Sequence, residues 1–584
     1  MSIEQLITEH LDIWTAADTE KKSGRGRSSG SAGSVYGIKK LRELILELAV
    51  RGKLVPQDEN DEPASELLKR IAAEKAKLIA EGKIKKDKPL APISDDEKPF
   101  ELPKNWECVR LQEVFDVRDG THDTPKYCDS GFPLVTSKNL YSGILDFSNI
   151  KYISEEDHFK IKERSGVDRG DILFAMIGSI GNPVIIETDN DFSIKNVALF
   201  KPYSHQLCEM YYLLKYLIKA SIDMREQASG AVQSFVSLGA IRNYIFYMPP
   251  IAEQHRIVAK VDELMTLCDQ LENQHNNAAE AHEKLVTHLL GTLTQSQNAE
   301  DFNTHWQRIS EHFDTLFTTE VSIDALKQTL LQLAVMGKLV PQDPNDEPAS
   351  ELLKRIQAEK AKLIAEGKIK KDKPLAEITE EEKPFELPVG WEWTRLAELT
   401  TKITDGTHHT PTYVDSGIPF LSVKDMSSGV IDFSSTRFIS SDEHEQLSKR
   451  CNPELGDLLL TKVGTTGIPV VVDKAIPFSI FVSVALIKAP WELVNVDYLR
   501  LLIASPFVKK QSADGTEGIG NKNLVLRKIE VFLLAIPPSN EQQSIVAKVD
   551  ELMVICDKLK ECITLSNQLQ QKLADVVIEQ AILQ

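Results

Sequence analysis

GKLVPQDENDEPASELLKRIAAEKAKLIAEGKIKKDKPL, residues 52–90, returns at 337–375 with two changes, Glu59 against Pro344 and Ala72 against Gln357. The copies lie 285 residues apart in a chain of 584, so the chain is close to two half-length repeats. The segments between them have drifted apart. Two copies of one surface suit two copies of one partner, and diverged segments suit two different jobs. Recent duplication, with no selection on that surface, is the alternative reading.

Upstream of this stretch, GIKKLRELILELAV (37–50) has apolar residues at 38, 41, 44, 45, 48 and 49, the spacing of an amphipathic helix that ends at Gly52. A second helix opens at Pro63, with Ser65 as its candidate N-cap and Leu67, Leu68, Ile71, Leu78 and Ile79 on one face, and stops at Gly82. KIKKDKPL follows as a basic strand or loop. Residues 1–22 read as one short helix with Leu6, Ile7, Leu11 and Trp14 on a face. KKSGRGRSSGSAGS (21–34) is either a solvated tether or a basic arm that touches DNA or a partner.

From about 100 to 250, β-branched and aromatic runs (YISEE, DILFAM, PVIIE, VALFKP) are divided by Gly, Pro, Asn and Asp, with one plainly helical stretch at 209–222. This predicts a mixed domain, mostly sheet. From Ile251 to about Thr294, Val261, Leu264, Cys268, Leu271, Ala278, Leu285 and Leu289 follow heptad spacing, with His275 and His282 as polar seam residues. Aromatic-rich NTHWQRISEHFDTLF follows, and the series then restarts. A helix at 326–336 matches 41–51, a second mixed domain spans 386–538, and a second long helix has Val549, Leu552, Cys556, Leu559 and Ile563 in seam positions. The domain plan is 1–36, 37–99, 100–250, 251–297, 298–385, 386–538 and 539–584. The two mixed domains share a skeleton: DGTHDTPKYCDSGFPLVTSKNL against DGTHHTPTYVDSGIPFLSVKDM, and GDILFAMIGSIGNPVII against GDLLLTKVGTTGIPVVV.

Hydrophobic content of 42% and charge of 27% fit a soluble folded chain. Its apolar runs fall short of the roughly 18 residues that span a bilayer. The acidic N-terminus is unlike a cleavable signal. Seven scattered cysteines without a C-x-x-C pair argue against a disulfide frame or zinc knuckle and point to the cytoplasm. Net charge of −19 argues against gripping nucleic acid by bulk electrostatics, but it is uneven. Lys and Arg against Asp and Glu number 16 and 20 over 101–250, and 15 and 18 over 386–538, giving −4 and −3 and leaving −12 to the helical and linking segments.

Enzymes that act on DNA or nucleotides carry recognisable motifs. The chain has no G-x-x-x-x-G-K-[ST] loop. GTEGIG (515–520) reads as a turn, and the double prolines MPPI and IPPS lack the amide and aromatic of an amine-binding methyltransferase motif. Glu81 with Lys83, and Glu366 with Lys368, read as solvated charges at helix ends. His408 and His409 are adjacent, and His275, His282 and His288 lack the i,i+4 spacing of a helical zinc pair. No metal site and no catalytic residue is assigned.

ELAVRGKLVPQD and QLAVMGKLVPQD, the DGTH…TP openings, and PP-x-x-EQ-x-x-I-V-A-K-V-DEL at the start of both long helices together resemble the specificity subunit of type I restriction-modification enzymes, over nearly the whole chain. The resemblance implies an α+β fold: two mixed, mostly-sheet target recognition domains joined by two long antiparallel coiled-coil helices, with an internal pseudo-twofold repeat. It implies a DNA-binding subunit that is non-catalytic by itself. Each recognition domain reads one half of a bipartite site in double-stranded DNA, while the helices set the spacing and dock two modification subunits. Those partners hold S-adenosylmethionine and methylate adenine; restriction subunits use ATP and Mg. No cofactor is expected on this chain. A structural adaptor with two protein-binding domains is the rival reading.

Base reading needs polar side chains at loop positions, and phosphate contacts need Lys, Arg or amides. In the first domain the candidates are Thr121, His122, Ser137, Lys138, Asn139, Ser179, Lys195, Asn196, Gln233 and Ser234. In the second they are Thr407, His408, His409, Lys424, Asp425, Thr465, Thr466, Asn521, Lys522 and Asn523. Each is weighed against a turn-former satisfying its own backbone. Asp119 and Asp405 read as structural or phosphate-positioning.

Overall fold

The computed structural model describes residues 3–16, 35–86, 90–98, 100–140, 143–178, 180–228, 235–296, 299–371, 374–517 and 522–583. The Gly/Ser-rich stretch at 21–34, like Ser179, Gln233, Ser234 and Asn521, lies outside them. The chain forms two units, Met1–Ala278 with Asn567–Gln584, and Ala279–Ser566. The unit boundaries fall inside two 45-residue helices, Ile251–Gln295 and Ser539–Leu583. Each long helix therefore contributes to both cores.

In the first unit, the helix Tyr36–Val50 buries Ile38, Leu41, Leu44, Ile45, Leu48 and Ala49, the positions its periodicity named. It ends where Gly52 turns to φ +69°; a Cβ there would stand 2.5 Å from Pro103 and 3.0 Å from Trp106. The next helix, Ala64–Ala80, buries Ala64, Leu67 and Ile71, while Leu68, Leu78 and Ile79 are only half-buried. Its N-cap position is held by Pro63, not Ser65, and the free amide of Ala64 donates to Asn105 O at 3.0 Å. A tertiary carbonyl thus does the work of a capping side chain. The described part of KIKKDKPL forms no strand, and residues 3–16 make two helices, Ile3–Glu9 and Leu11–Ala16, instead of one.

The first mixed domain is closed at its base by pairing of its entry and exit strands, Glu107–Arg110 with Ile245–Met248. Arg110 locks the base, donating to Asn243 O (2.7 Å), Glu97 (3.0 Å) and Ala91 O (3.3 Å). Above it, an antiparallel sheet runs Phe115–Asp119, Val197–Pro202, Ile172–Ala175, Gly181–Ile185. A second sheet runs Tyr127–Cys128, Lys151–Ile153, Phe132–Val135, Ser193–Ile194, and its last pair is parallel. The run YISEE splits: its strand ends at Ile153, and Ser154 caps a helix, Glu155–Ser165. That helix buries only His158, Ile161 and Ser165, so its polar sequence carried little apolar period.

The second unit repeats this order. Glu392–Arg395 pairs with Leu533–Ile536, a four-stranded sheet runs Lys402–Asp405, Val484–Lys488, Leu458–Thr461, Pro469–Val471, and Ile418–Leu421 pairs parallel with Ser479–Ile480. One departure has a local cause. Where the first domain has a single helix, Met210–Ala228, the second has Val496–Ala504 and Pro506–Asp514, because Pro506 breaks the ladder and Ser505 caps the restart. The helix expected at 326–336 starts earlier, at Glu320, on a Thr319–Ser322 capping box.

The seam of the first long helix changes register. Val261, Leu264, Cys268 and Leu271 are buried in the first unit as expected, but in the second unit Val286, Leu290 and Leu293 face the core. Ala278 and Leu285 are exposed and Leu289 is half-buried. A strict 3.5-residue repeat holds only while a helix supercoils about one partner, and this one enters a second core. His282 donates to Thr315 O at 3.2 Å, a satisfied polar residue as read. On the second helix, Val549 and Cys556 are buried and Leu552, Leu559 and Ile563 partly so.

One polar contact ties these parts together, and it occurs twice. Glu253, in the first turn of its long helix, is buried and accepts from Trp106 Nε1 (2.9 Å) and Gln57 Nε2 (2.6 Å). Glu541 accepts likewise from Trp391 Nε1 (2.9 Å) and Gln342 Nε2 (3.1 Å). Glu253→Ala leaves a buried indole N–H unmatched and is expected to cost about 1–3 kcal/mol; Glu253→Gln keeps an acceptor oxygen there and should cost less. Burial, only partly offset by the donors from Trp106 and Gln57, raises the Glu253 pKa above its ordinary value. The folded chain therefore keeps that proton to higher pH than the unfolded one. Stability should fall as pH rises from the ordinary carboxylate pKa through the raised one, and Glu253→Gln should remove its share of that slope. Urea midpoints of the full chain across about pH 4–7 check this; equal midpoints for wild type, Ala and Gln variants would contradict it.

Candidate nucleic-acid interface

Thr121 and His122 follow the strand Phe115–Asp119 through Gly120, where the backbone passes so close to the strand Ser193–Ile194 that a Cβ would stand 2.3 Å from Ile194 O. Gly406 is tighter, at 1.9 Å from Ile480 O. Only glycine permits this crossing, which explains the DG of both DGTH motifs. Thr121 N donates to Ile194 O (3.0 Å), Asn196 N to Thr121 O (3.2 Å), and Lys195 N to Val135 O (2.9 Å). Thr121, His122, Lys195 and Asn196 are thus brought together at the end of two parallel strands, with Ser137–Leu140 following one of them. Asn196 takes φ +55°, a conformation Asn tolerates better than most residues. Lys195 Nζ reaches Thr124 Oγ1.

The second domain builds the same apex. Thr407 N donates to Ile480 O (3.1 Å), Val482 N to Thr407 O (2.9 Å) and Phe481 N to Leu421 O (2.9 Å). On this shared frame, Lys195 and Asn196 are replaced by Phe481 and Val482. Lys462, buried, adds its ammonium at 3.1 Å from Asp405 and 3.3 Å from Val482 O. Its backbone accepts from Leu524 N (2.7 Å), and Gly464 N donates to Lys522 O (3.0 Å). This brings Thr465, Thr466, Lys522 and Asn523 to the same apex. Thr465 and Lys522 are exposed there, with Thr466 and Asn523 half-buried.

Some candidates are spent internally. The Asn139 carboxamide is buried, accepts from Thr136 N (2.9 Å) and Thr136 Oγ1 (3.0 Å), and donates to Asp146 O (3.0 Å). Asp425, at the matching place, accepts from Ser422 N (2.7 Å) and Ser422 Oγ (3.0 Å). Both are loop staples, and the sequence-level contrast between them is a difference in capping group, not in reading. Beside them Lys138 and Lys424 are exposed and Ser137 half-buried. The His409 ring turns back on Thr407 Oγ1 at 2.9 Å.

Asp119 and Asp405 organise the apex from beneath. Asp119, 8% exposed, receives the Arg164 guanidinium and His122 Nε2 (2.8 Å), and His122 Nδ1 lies 3.2 Å from Asn196 Oδ1. Asp405, 4% exposed, receives Arg450 (2.5 Å), Lys462, and His408 Nε2 (3.2 Å). Sequence reasoning missed Arg164, Arg450 and Lys462. A signal was there: each arginine stands 45 residues after its aspartate. Glu81–Lys83 and Glu366–Lys368, each 2.8 Å apart, are solvated pairs as read. Among the described residues, no cluster of three or more His, Cys, Asp or Glu could hold a metal, and no helix is long and apolar enough to cross a membrane.

The family model described as the type I restriction modification DNA specificity domain matches twice, at residues 103–281 and 388–573. The chain belongs to the specificity subunits of type I restriction-modification systems, the non-catalytic component that works on DNA with the other subunits. The type I restriction enzyme EcoAI specificity subunit of Escherichia coli is 41% identical over 100% of both chains, and the EcoEI specificity subunit of the same species 40% over 100% of both. A crystal structure of an HsdS subunit from Thermoanaerobacter tengcongensis is a distant neighbour, 19% identical with TM-score 0.39 over 83% of this chain and 98% of that one.

If the apex reads DNA while Asn139 staples its loop, the two sites should separate experimentally. Replacing Lys195 by Ala and Asn196 by Gly, which keeps the positive φ of that position, should change DNA selectivity with little loss of stability. Asn139→Ala, which strips a buried amide network, should cost about 1–3 kcal/mol. Thermal unfolding and DNA binding of the two variants check this; equal effects on both readouts would contradict it.

Proposed function

We propose that each mixed domain reads one half of a bipartite site in double-stranded DNA through its apex, and that the long helices set the unread gap. The observation that carries this is one backbone frame bearing different side chains: Lys195 and Asn196 in one domain, Phe481, Val482 and Lys462 in the other. Lys and Asn make base-edge hydrogen bonds, whereas Phe and Val offer apolar contact of the kind that suits a thymine methyl. Within this reading, Thr121, His122, Ser137, Lys138, Lys195 and Asn196 face one half-site. Thr407, His408, Lys424, Thr465, Thr466, Lys522 and Asn523 face the other.

Two modification subunits dock on the repeated helices Ala64–Ala80 and Ala349–Ala365. The support is that identity extends over their exposed faces, which internal packing does not require. Lys69 and Lys354 are each 70% exposed, and Glu66 and Glu351 are 51% and 49% exposed. Both positions that differ, 59/344 and 72/357, are exposed as well. The modification subunits supply S-adenosylmethionine and adenine methylation, restriction subunits supply ATP- and Mg-dependent cleavage, and the assembly works in the cytoplasm.

Exchanging residues 101–250 for the corresponding domain of a relative with another target should change one half of the methylated site and leave the other half and the gap intact. A change in both halves would defeat the modular reading.

A further inference from the structure

Arg164 and Arg450 stand outside every contact the recognition reading uses. We infer that they are paired phosphate anchors, one on each recognition domain, that fix the DNA backbone beside the base-reading apex. This rests on the proposal that the two apices meet DNA.

Arg164 lies in the last turn of the helix Glu155–Ser165, and Arg450 just after the helix Ser441–Ser448. Each turns one nitrogen onto an almost buried aspartate, yet 58% and 55% of the two side chains are exposed. A guanidinium has five donors in a rigid fork. The aspartate uses one edge, and in the second domain Nη1 also reaches Gly406 O at 3.5 Å. The outer donors remain toward solvent, beside Thr121–His122 and Thr407–His408. The carboxylate lowers the net attraction for an anion, but it holds the fork in place before DNA arrives, so little side-chain freedom is lost on contact.

A phosphate is the target that this pattern favours. The two domains change Lys195 to Phe481 and Asn196 to Val482, yet keep the aspartate, the arginine and the histidine. A group common to both domains cannot distinguish two different half-sites, whereas the sugar-phosphate backbone is common to every sequence. A chain of net charge −19 also needs its cations placed locally if it is to hold a polyanion. A purely structural ion pair does not need its arginine more than half exposed.

Arg450→Gln is the cleaner test, because Lys462 remains on Asp405 and the buried carboxylate keeps a cation. The full chain, assembled with its modification subunits, is titrated at several salt concentrations with two duplexes, one carrying the motif it methylates and one scrambled. The log K against log salt plot should become shallower by about 0.9, which is about fivefold in affinity at ~0.15 M salt. Both duplexes should lose equally, so that the preference for the motif survives. Arg164→Gln should act the same way, and Arg164→Lys, which keeps the charge, should hold close to the wild-type slope. An unchanged slope for Arg450→Gln would overturn the proposal, as would a loss confined to the motif duplex, which marks base reading. A wild-type assembly with no preference between the duplexes would overturn the recognition reading itself.

Discussion

The buried carboxylate of Glu253, like its counterpart Glu541, joins a recognition domain to the repeated stretch and to a long helix. The three segments are distant in sequence: Gln57 from the repeated stretch, Trp106 from the opening of the recognition domain, and the first turn of a long helix. Neither donor is charged, so burial outweighs them and leaves the acid weaker than usual. The helix N-terminus adds favourable dipole at the same place. Gln254 and Gln542 complete the corner by donating back to Pro249 O (2.9 Å) and Pro537 O (3.0 Å). The PP-x-x-EQ motif is therefore a joint. It fixes where the domain leaves and where the long helix begins.

Because the joint is built twice from the same residues, the base of each domain can stay constant while its apex changes. Arg110 and Arg395 lock the bases through matching carbonyl and carboxylate contacts. At the far end, the glycine crossing and the parallel strand pair set a platform whose next two residues are free to differ. Specificity can then evolve through side chains at the apex without disturbing the joint that positions the domain. The repeated helices show the complementary pattern, keeping every exposed side chain except the one at 72 and 357.

Much of the fold was legible in the sequence because its helices are amphipathic and its strands are short apolar runs between turn residues. Tyr36–Val50 and the strands of DILFAM and VALFKP fall where periodicity puts them. What failed did so where a contact from elsewhere decides. Ser65 gives way to a carbonyl from Asn105 across the chain, Leu285 loses the seam to Val286 when the long helix enters another core, and Glu155–Ser165 is a helix held by few apolar residues. At the apex, residue type alone could not separate Asn196, presented at the surface beside His122, from Asn139, spent on its own loop. Arg164 and Arg450 escaped notice because their importance lies in pairing with an aspartate 45 residues away, which composition and period do not register.

If two apices on one repeated frame read two different half-sites, the methylated motif must carry both. Sequencing of methylated adenines in DNA exposed to this chain with its modification subunits tests it most directly. One motif made of two unlike specified halves, separated by an unspecified gap of constant length, is the expected result. A continuous motif, two identical halves, or methylation without a motif would contradict it.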